Sequence, residues 1–69
     1  MSQRIYKSIQ LTGTSATSIE DAVQNAVARA AKTIRHMRWF EVLETRGAIQ
    51  DNGVTEWQVT LKIGFALEE

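Results

Sequence analysis

The chain of 69 residues contains no cysteine, no proline and a single histidine, and its formal net charge is zero. Without cysteine there can be no disulfide, no cysteine-containing zinc site and no thiol nucleophile. A single histidine, His36, also excludes a metal site built from several histidines. The zero net charge argues against nucleic acid as a partner, because phosphate binding depends largely on a basic surplus.

The sequence also lacks the apolar segment of a secretory signal, and no apolar run approaches the length of a membrane span. We therefore expect a cytoplasmic protein with no membrane partner. A chain this short forms one domain, over residues 1–69, and buries only about 60% of its unfolded surface. Since no disulfide or metal compensates, self-association is the remaining means of stabilisation.

The pattern of apolar residues predicts the order strand, helix, strand, strand. Residues 4–12 alternate between two faces, and Gly13-Thr14-Ser15 has the composition of a turn. Thr17 and Ser18, each three residues before an acid, predict a capping box and a helix that starts near Ser18. One apolar stripe then continues for about five turns. It comprises Ile19, Val23, Ala26, Val27, Ala30, Ile34 and Met37.

From Trp39 onward the period becomes two, which is typical of strands. Strict alternation places Trp39, Glu41, Leu43 and Thr45 on one face, and Phe40, Val42, Glu44 and Arg46 on the other. Asn52-Gly53 then predicts a hairpin. Residues 54–67 form the clearest strand, whose apolar face comprises Trp57, Val59, Leu61, Ile63, Phe65 and Leu67.

This order predicts an α+β fold of the split β-α-β type, in which a three-stranded antiparallel sheet has the last strand at its centre and one helix on one face. A strand over 54–67 spans roughly 46 Å at about 3.3 Å per residue. A compact chain of this size has a diameter of only about 28 Å. The last strand must therefore curl around the helix or extend onto a neighbouring subunit.

Four basic residues recur every three positions through the second half of the predicted helix. They are Arg29, Lys32, Arg35 and Arg38. They form either a solvated face that complements the helix dipole, or a ladder that pairs with acids of a neighbouring subunit or holds a ligand phosphate. No residues have the spacing of a catalytic site, so we expect no enzymatic activity.

Trp39 is predicted to point away from the helix, on the same side of the sheet as Gln58. A tryptophan there is either buried in a subunit interface or serves as a stacking platform for a planar, electron-poor ligand. The amide of Gln58 offers donors and an acceptor to the edge of a heterocycle, or is simply an exposed strand residue.

The residues resemble the dodecin family along essentially the whole chain. The resemblance is carried by Arg38-Trp39-Phe40-Glu41-Val42, Arg46-Gly47, Trp57-Gln58-Val59 and Lys62-Ile63-Gly64-Phe65, together with Tyr6-Lys7 and the segment 11–15. The resemblance implies a sheet partly wrapped around one helix and assembly of identical chains into a hollow homododecamer.

The resemblance also implies binding of riboflavin or FMN, with FAD as a further candidate, for storage and photoprotection. In the family the flavin rings stack in pairs between tryptophans of two subunits. The stacking tryptophan corresponds to Trp39, the ring-edge glutamine to Gln58, and an arginine that contacts the polar chain of the ligand to Arg46. An oligomer without a small ligand is the alternative function.

Some bacterial members of the family also bind coenzyme A, which the resemblance makes a further candidate ligand of this chain. Many carry a basic residue after Gly-Phe, but here Gly64-Phe65 is followed by Ala66. Any phosphate contact of that residue is missing, and Arg4 is a weaker candidate for such a contact.

Overall fold

The computed structural model describes residues 3–67. Its elements are β1 (Tyr6–Ser15), α1 (Ile19–Ala30), β2 (Met37–Gln50) and β3 (Gly53–Ala66). The strands form one antiparallel sheet in the order β1-β3-β2. The predicted α+β fold and the central position of the last strand are thus confirmed. Within residues 3–67 no helix is long and apolar enough to cross a membrane.

The core lies between the central strand and one face of the helix. Val59, Leu61 and Ile63 of β3 are the largest fully buried side chains, and they pack against three buried alanines of α1. These small side chains are Ala22, Ala26 and Ala30. The contacts of α1 are with β1 and β3, so the helix leaves β2 largely uncovered.

Gly13 lies within β1 opposite Val59, so the turn predicted at 13–15 is wrong. A Cβ at this position would overlap the carbonyl oxygen of Ala22 and lie 2.8 Å from the Cβ of Ala26. Glycine at this position therefore allows β1 and α1 to pack closely. A glycine followed by threonine and serine is equally typical of a turn, so the sequence alone does not distinguish these two roles.

Replacing Gly13 with alanine should lower the free energy of unfolding by about 1–3 kcal/mol, because the added methyl group forces β1 and α1 apart. Gly53→Ala is the matched control, since its nearest atom would be 3.9 Å from the new Cβ and its φ is not positive. Chemical denaturation at one protein concentration measures both changes. Equal losses in the two variants would contradict the close-contact explanation.

The helix begins as predicted and ends earlier. The side chain of Ser18 caps it by accepting a hydrogen bond of 3.0 Å from the backbone N–H of Asp21. The helix ends at Ala30, whereas the apolar stripe predicted its continuation through Met37. His36, at φ 64°, takes the left-handed conformation as the chain enters β2. Met37 packs against the core from β2, so the apolar pattern of the sequence continues although the helix has ended.

The hairpin between β2 and β3 has the predicted location, but its two central residues are Asp51 and Asn52. Their φ values are 52° and 66°, as a two-residue loop of the primed type requires. Gly53 is the first residue of β3 and pairs with Gln50. Asparagine and aspartate tolerate this left-handed conformation better than other side chains, so the turn forms one residue earlier than Asn-Gly suggested.

The end of this hairpin, residues 47–57, projects beyond the rest of the chain and is called the arm. β1 ends at Ser15, opposite Trp57, and β3 continues for about 13 Å to Gly53. The chain as a whole measures 57 × 20 × 13 Å. The last strand is therefore longer than a compact chain can accommodate, as predicted, and its excess length forms the end of the hairpin.

Candidate ligand-binding site

The face of the sheet away from α1, called the open face, carries Trp39. This residue pairs with Gly64 of the central strand. A Cβ on Gly64 would overlap indole atoms Cε2 and Cζ2 and lie 2.6 Å from Cη2. The ring therefore lies directly against the glycine backbone, and a side chain at residue 64 would displace it. Trp39 nevertheless stays 45% exposed, so indole surface remains available for stacking.

Tyr6 of β1 contacts Trp39 of β2 across the central strand β3. The two ring centroids are 4.9 Å apart and the planes meet at 67°, an edge-to-face arrangement. Tyr6 pairs with Ala66 at the same end of β3, which brings its ring to the indole. Gly64 and Tyr6 together hold the indole in one orientation before any ligand arrives.

A β-bulge brings Arg46 to the open face. The pairing of β2 with β3 runs from Val42–Leu61 to Glu44–Thr60, so Leu43 has no partner. Strict alternation placed Arg46 on the face opposite Trp39, and that prediction is wrong. The extra residue reverses the alternation, because two residues of β2 oppose one of β3. Arg46 consequently lies directly beside Gln58.

Arg46 and Gln58 form the centre of a small polar network. Nε of Arg46 donates to Oε1 of Gln58 at 2.7 Å, and Nε2 of Gln58 donates to Glu56 at 2.9 Å. Nη1 of Arg46 also donates to Glu44 at 3.1 Å and to Thr60 at 3.4 Å. The orientation of the Gln58 amide is thus fixed, while its second amide hydrogen and the second lone pair of its oxygen stay available.

The stacking residue and the polar network lie apart in one chain. Gly64, beneath Trp39, and Gln58 are six residues apart on β3, which corresponds to about 20 Å. Arg4 is exposed and lies two residues before Tyr6, whose ring contacts Trp39. The structure therefore groups Arg46 with Gln58 and separates both from Trp39.

Several contributors to this face were not identified from the sequence. The contacts of Gly64 and Tyr6 with Trp39 follow from the strand register, which the sequence pattern does not give. Glu56, which orients the Gln58 amide, lies two positions away on the same strand and carried no signal of its own. Among residues 3–67, no group of three or more histidine, aspartate or glutamate side chains could hold a metal ion.

The comparisons with known proteins agree on one family. The dodecin family model matches residues 5–68. A curated dodecin of Thermus thermophilus is 54% identical over 66 residues, which is 96% of each chain. The solved dodecin of Streptomyces coelicolor is 49% identical, with a TM-score of 0.95 over 100% of this chain and 99% of that one.

A more distant relative is a calcium dodecin. The calcium dodecin of Mycobacterium tuberculosis is 33% identical over 63 residues, which is 91% of this chain and 89% of that protein. Its solved structure is similar to this one with a TM-score of 0.82.

Proposed function

The chain belongs to the dodecin family, and from this premise we propose that it binds a flavin between the subunits of a homododecamer. Riboflavin and FMN are the proposed ligands, and storage with protection from light is the proposed role. The protein holds the flavin and catalyses no reaction with it.

The observation that carries this proposal is the position of the Trp39 indole. Gly64 lies beneath the ring, Tyr6 touches it edge-on, and the side chain is still 45% exposed. Aromatic rings prefer offset stacking, and the electron-rich indole suits the electron-poor flavin ring. An indole held in contact with an excited flavin can donate an electron and so quench the excited state.

The polar network supplies the second part of the proposed site. Gln58 presents its fixed amide to the edge of the flavin ring, and Arg46 supports it and contacts the polar chain of the ligand. Since these residues lie about 20 Å from Gly64 along β3, a flavin that touches both parts is held by two subunits. Coenzyme A is a further candidate ligand, and its phosphate contact would fall to Arg4, because the residue after Phe65 is the uncharged and buried Ala66.

The absorbance spectrum of the purified protein, with mass spectrometry of the released chromophore and light scattering of the particle, tests the proposal. We expect a yellow protein that releases riboflavin or FMN and has the mass of a dodecamer. A colourless dodecamer that leaves flavin emission unchanged would instead support an oligomer without a small ligand.

Arg46→Ala should weaken flavin binding about tenfold, because the variant loses a charged hydrogen bond to Gln58 and its contact with the ligand. Titration of flavin fluorescence measures the change. Lys62→Ala, which removes a cation from the same face but leaves the Gln58 network intact, is the matched control and should bind nearly as wild type. Equal weakening in both variants would indicate only a general effect of positive charge.

A further inference from the structure

The side chain of Gln58 lies between a group that can only donate hydrogen bonds and a group that can only accept them. Nε of Arg46 donates to Oε1 of Gln58 at 2.7 Å, and Nε2 of Gln58 donates to Oε1 of Glu56 at 2.9 Å. A guanidinium offers no acceptor, and an ionised carboxylate offers no donor. The oxygen of the Gln58 amide must therefore face Arg46, and its nitrogen must face Glu56.

The reversed orientation of this amide is excluded from both sides at once. It would place the NH2 group against the N–H of Arg46 and the amide oxygen against the carboxylate of Glu56. Two hydrogen bonds to charged groups would become two repulsive contacts, and bonds of this kind are stronger than those between neutral groups. Gln58 and Glu56 are half-buried, which limits the competition of water for these bonds.

The strand register gives the fixed amide a direction on the open face. Arg46 is the partner of Gln58 on β2, whereas Glu56 lies two residues nearer the end of the arm on β3. A planar amide that has used one lone pair and one hydrogen keeps one of each in the same plane. Gln58 therefore presents an acceptor on the side of Arg46 and a donor on the side of Glu56.

We infer that Glu56 is a positioning residue that decides which edge of a planar ligand Gln58 binds. A fixed donor beside a fixed acceptor is complementary to a ring N–H beside a ring carbonyl, as in cyclic imides and lactams. The flavin ring carries one such N–H, at N3, between the carbonyls at C2 and C4. N3–H donates to Oε1 of Gln58, and only the carbonyl on the side of Glu56 accepts from Nε2.

This inference rests on the flavin binding of the proposed function and adds the orientation of the ring. Arg46 holds only the oxygen of the amide, and its guanidinium also bonds Glu44 and Thr60. Without Glu56 the nitrogen loses its anchor, and the amide can turn to suit either carbonyl of the ligand. Glu44 is an informative comparison, because its carboxylate accepts from Arg46 rather than from Gln58.

Two flavin analogues test the choice between the carbonyls. In 2-thioriboflavin and 4-thioriboflavin, sulfur, a weaker acceptor, replaces one of the two carbonyl oxygens. The assembled wild-type protein should bind one analogue about fivefold more weakly than the other, because only one carbonyl accepts a hydrogen bond from Gln58. Isothermal titration calorimetry measures both affinities.

Substitutions of Glu56 then test its role in this preference. Glu56→Ala should bring the two affinities close together, whereas Glu56→Gln should keep them apart, because its side-chain oxygen can accept the same bond. Glu44→Ala is the matched control for the loss of a carboxylate from the network and should also keep the preference.

A double variant tests the direction of the amide. Arg46→Glu combined with Glu56→Lys exchanges the donor and the acceptor on the two sides of Gln58, so the amide should turn over. The other carbonyl is then the one that accepts from Nε2, and the preference between the two analogues should invert.

The possible results separate this inference from flavin binding itself. Equal affinities for the two analogues in a wild-type protein that binds riboflavin tightly would overturn the inference and leave flavin binding standing. An unchanged preference in Glu56→Ala or in the double variant would do the same, and the result for Glu56→Ala decides even where the double variant binds no flavin. A wild-type protein that binds neither riboflavin nor the analogues would overturn the proposed function.

Discussion

Replacing Trp39 with alanine should weaken flavin binding between about 5- and 150-fold and abolish most of the quenching of flavin emission. Stacking on an aromatic side chain contributes about 1–3 kcal/mol by alanine substitution, which sets this range. The loss should be large here because the indole is already oriented by Gly64 and Tyr6. An indole that is mobile before binding would contribute less to the affinity, because fixing its orientation on binding costs free energy.

Trp57→Phe is the matched control for this prediction. Trp57 is the other tryptophan of the chain and lies on β3 opposite Ser15 and Gly47, on the α1 side of the sheet. Its replacement should leave both affinity and quenching close to wild type. Light scattering should show full assembly of both variants, so that a loss of binding reports on stacking. Wild-type affinity in an assembled Trp39→Ala protein would show that the flavin binds elsewhere.

The second large effect is expected at Gly64, which contacts no ligand in our proposal. In Gly64→Ala the new methyl group would occupy the position of the indole, so the ring must leave its place on the open face. We expect flavin affinity to fall at least tenfold. The free energy of unfolding should also fall by about 1–3 kcal/mol, because the strand pair at Trp39 is overpacked.

A double-mutant cycle tests whether Gly64 acts through Trp39. Once Trp39 is alanine, the methyl group at residue 64 meets no indole, and the double variant should bind flavin no more weakly than Trp39→Ala alone. Additive losses would instead show that Gly64 affects the site by another route. Affinity of Gly64→Ala equal to wild type would contradict the importance of the preset ring orientation.

The sequence predicted the parts of the fold that depend on periodicity. The alternation over residues 54–67 indicated the central strand, and the spacing of Ser18 and Asp21 located the helix start, where the capping bond is found. The helix end was missed because Ile34 and Met37 continue the apolar stripe, while the left-handed conformation of His36 turns the chain. Periodicity records which side chains are buried and carries little information on where the backbone turns.

The site was predictable in its residue types and less so in its geometry. Trp39 and Gln58 were expected on the open face, and the register places both there. Arg46 was expected on the other face, because a bulge at Leu43 leaves no mark in an alternating sequence. Nothing in the sequence distinguishes Gly64 from other strand glycines, and its position beneath the indole follows only from the strand register.

The chain has no cysteine for a disulfide, and it also leaves large apolar side chains of β2 and the arm uncovered. Phe40, Val42, Ile49 and Val54 are all more than 40% exposed in the single chain. Exposed pairs of large apolar side chains of this kind are characteristic of protein interfaces. Self-association that covers these side chains would therefore stabilise the chain.

The most direct test of the central claim is a titration of riboflavin with the flavin-free wild-type oligomer, followed by flavin emission. Stacking on Trp39 predicts that emission falls in proportion to added protein until the sites are saturated, and that Trp39→Ala produces little quenching. Unchanged emission in the presence of fully assembled wild-type protein would contradict the claim that this chain is a flavin-binding dodecin.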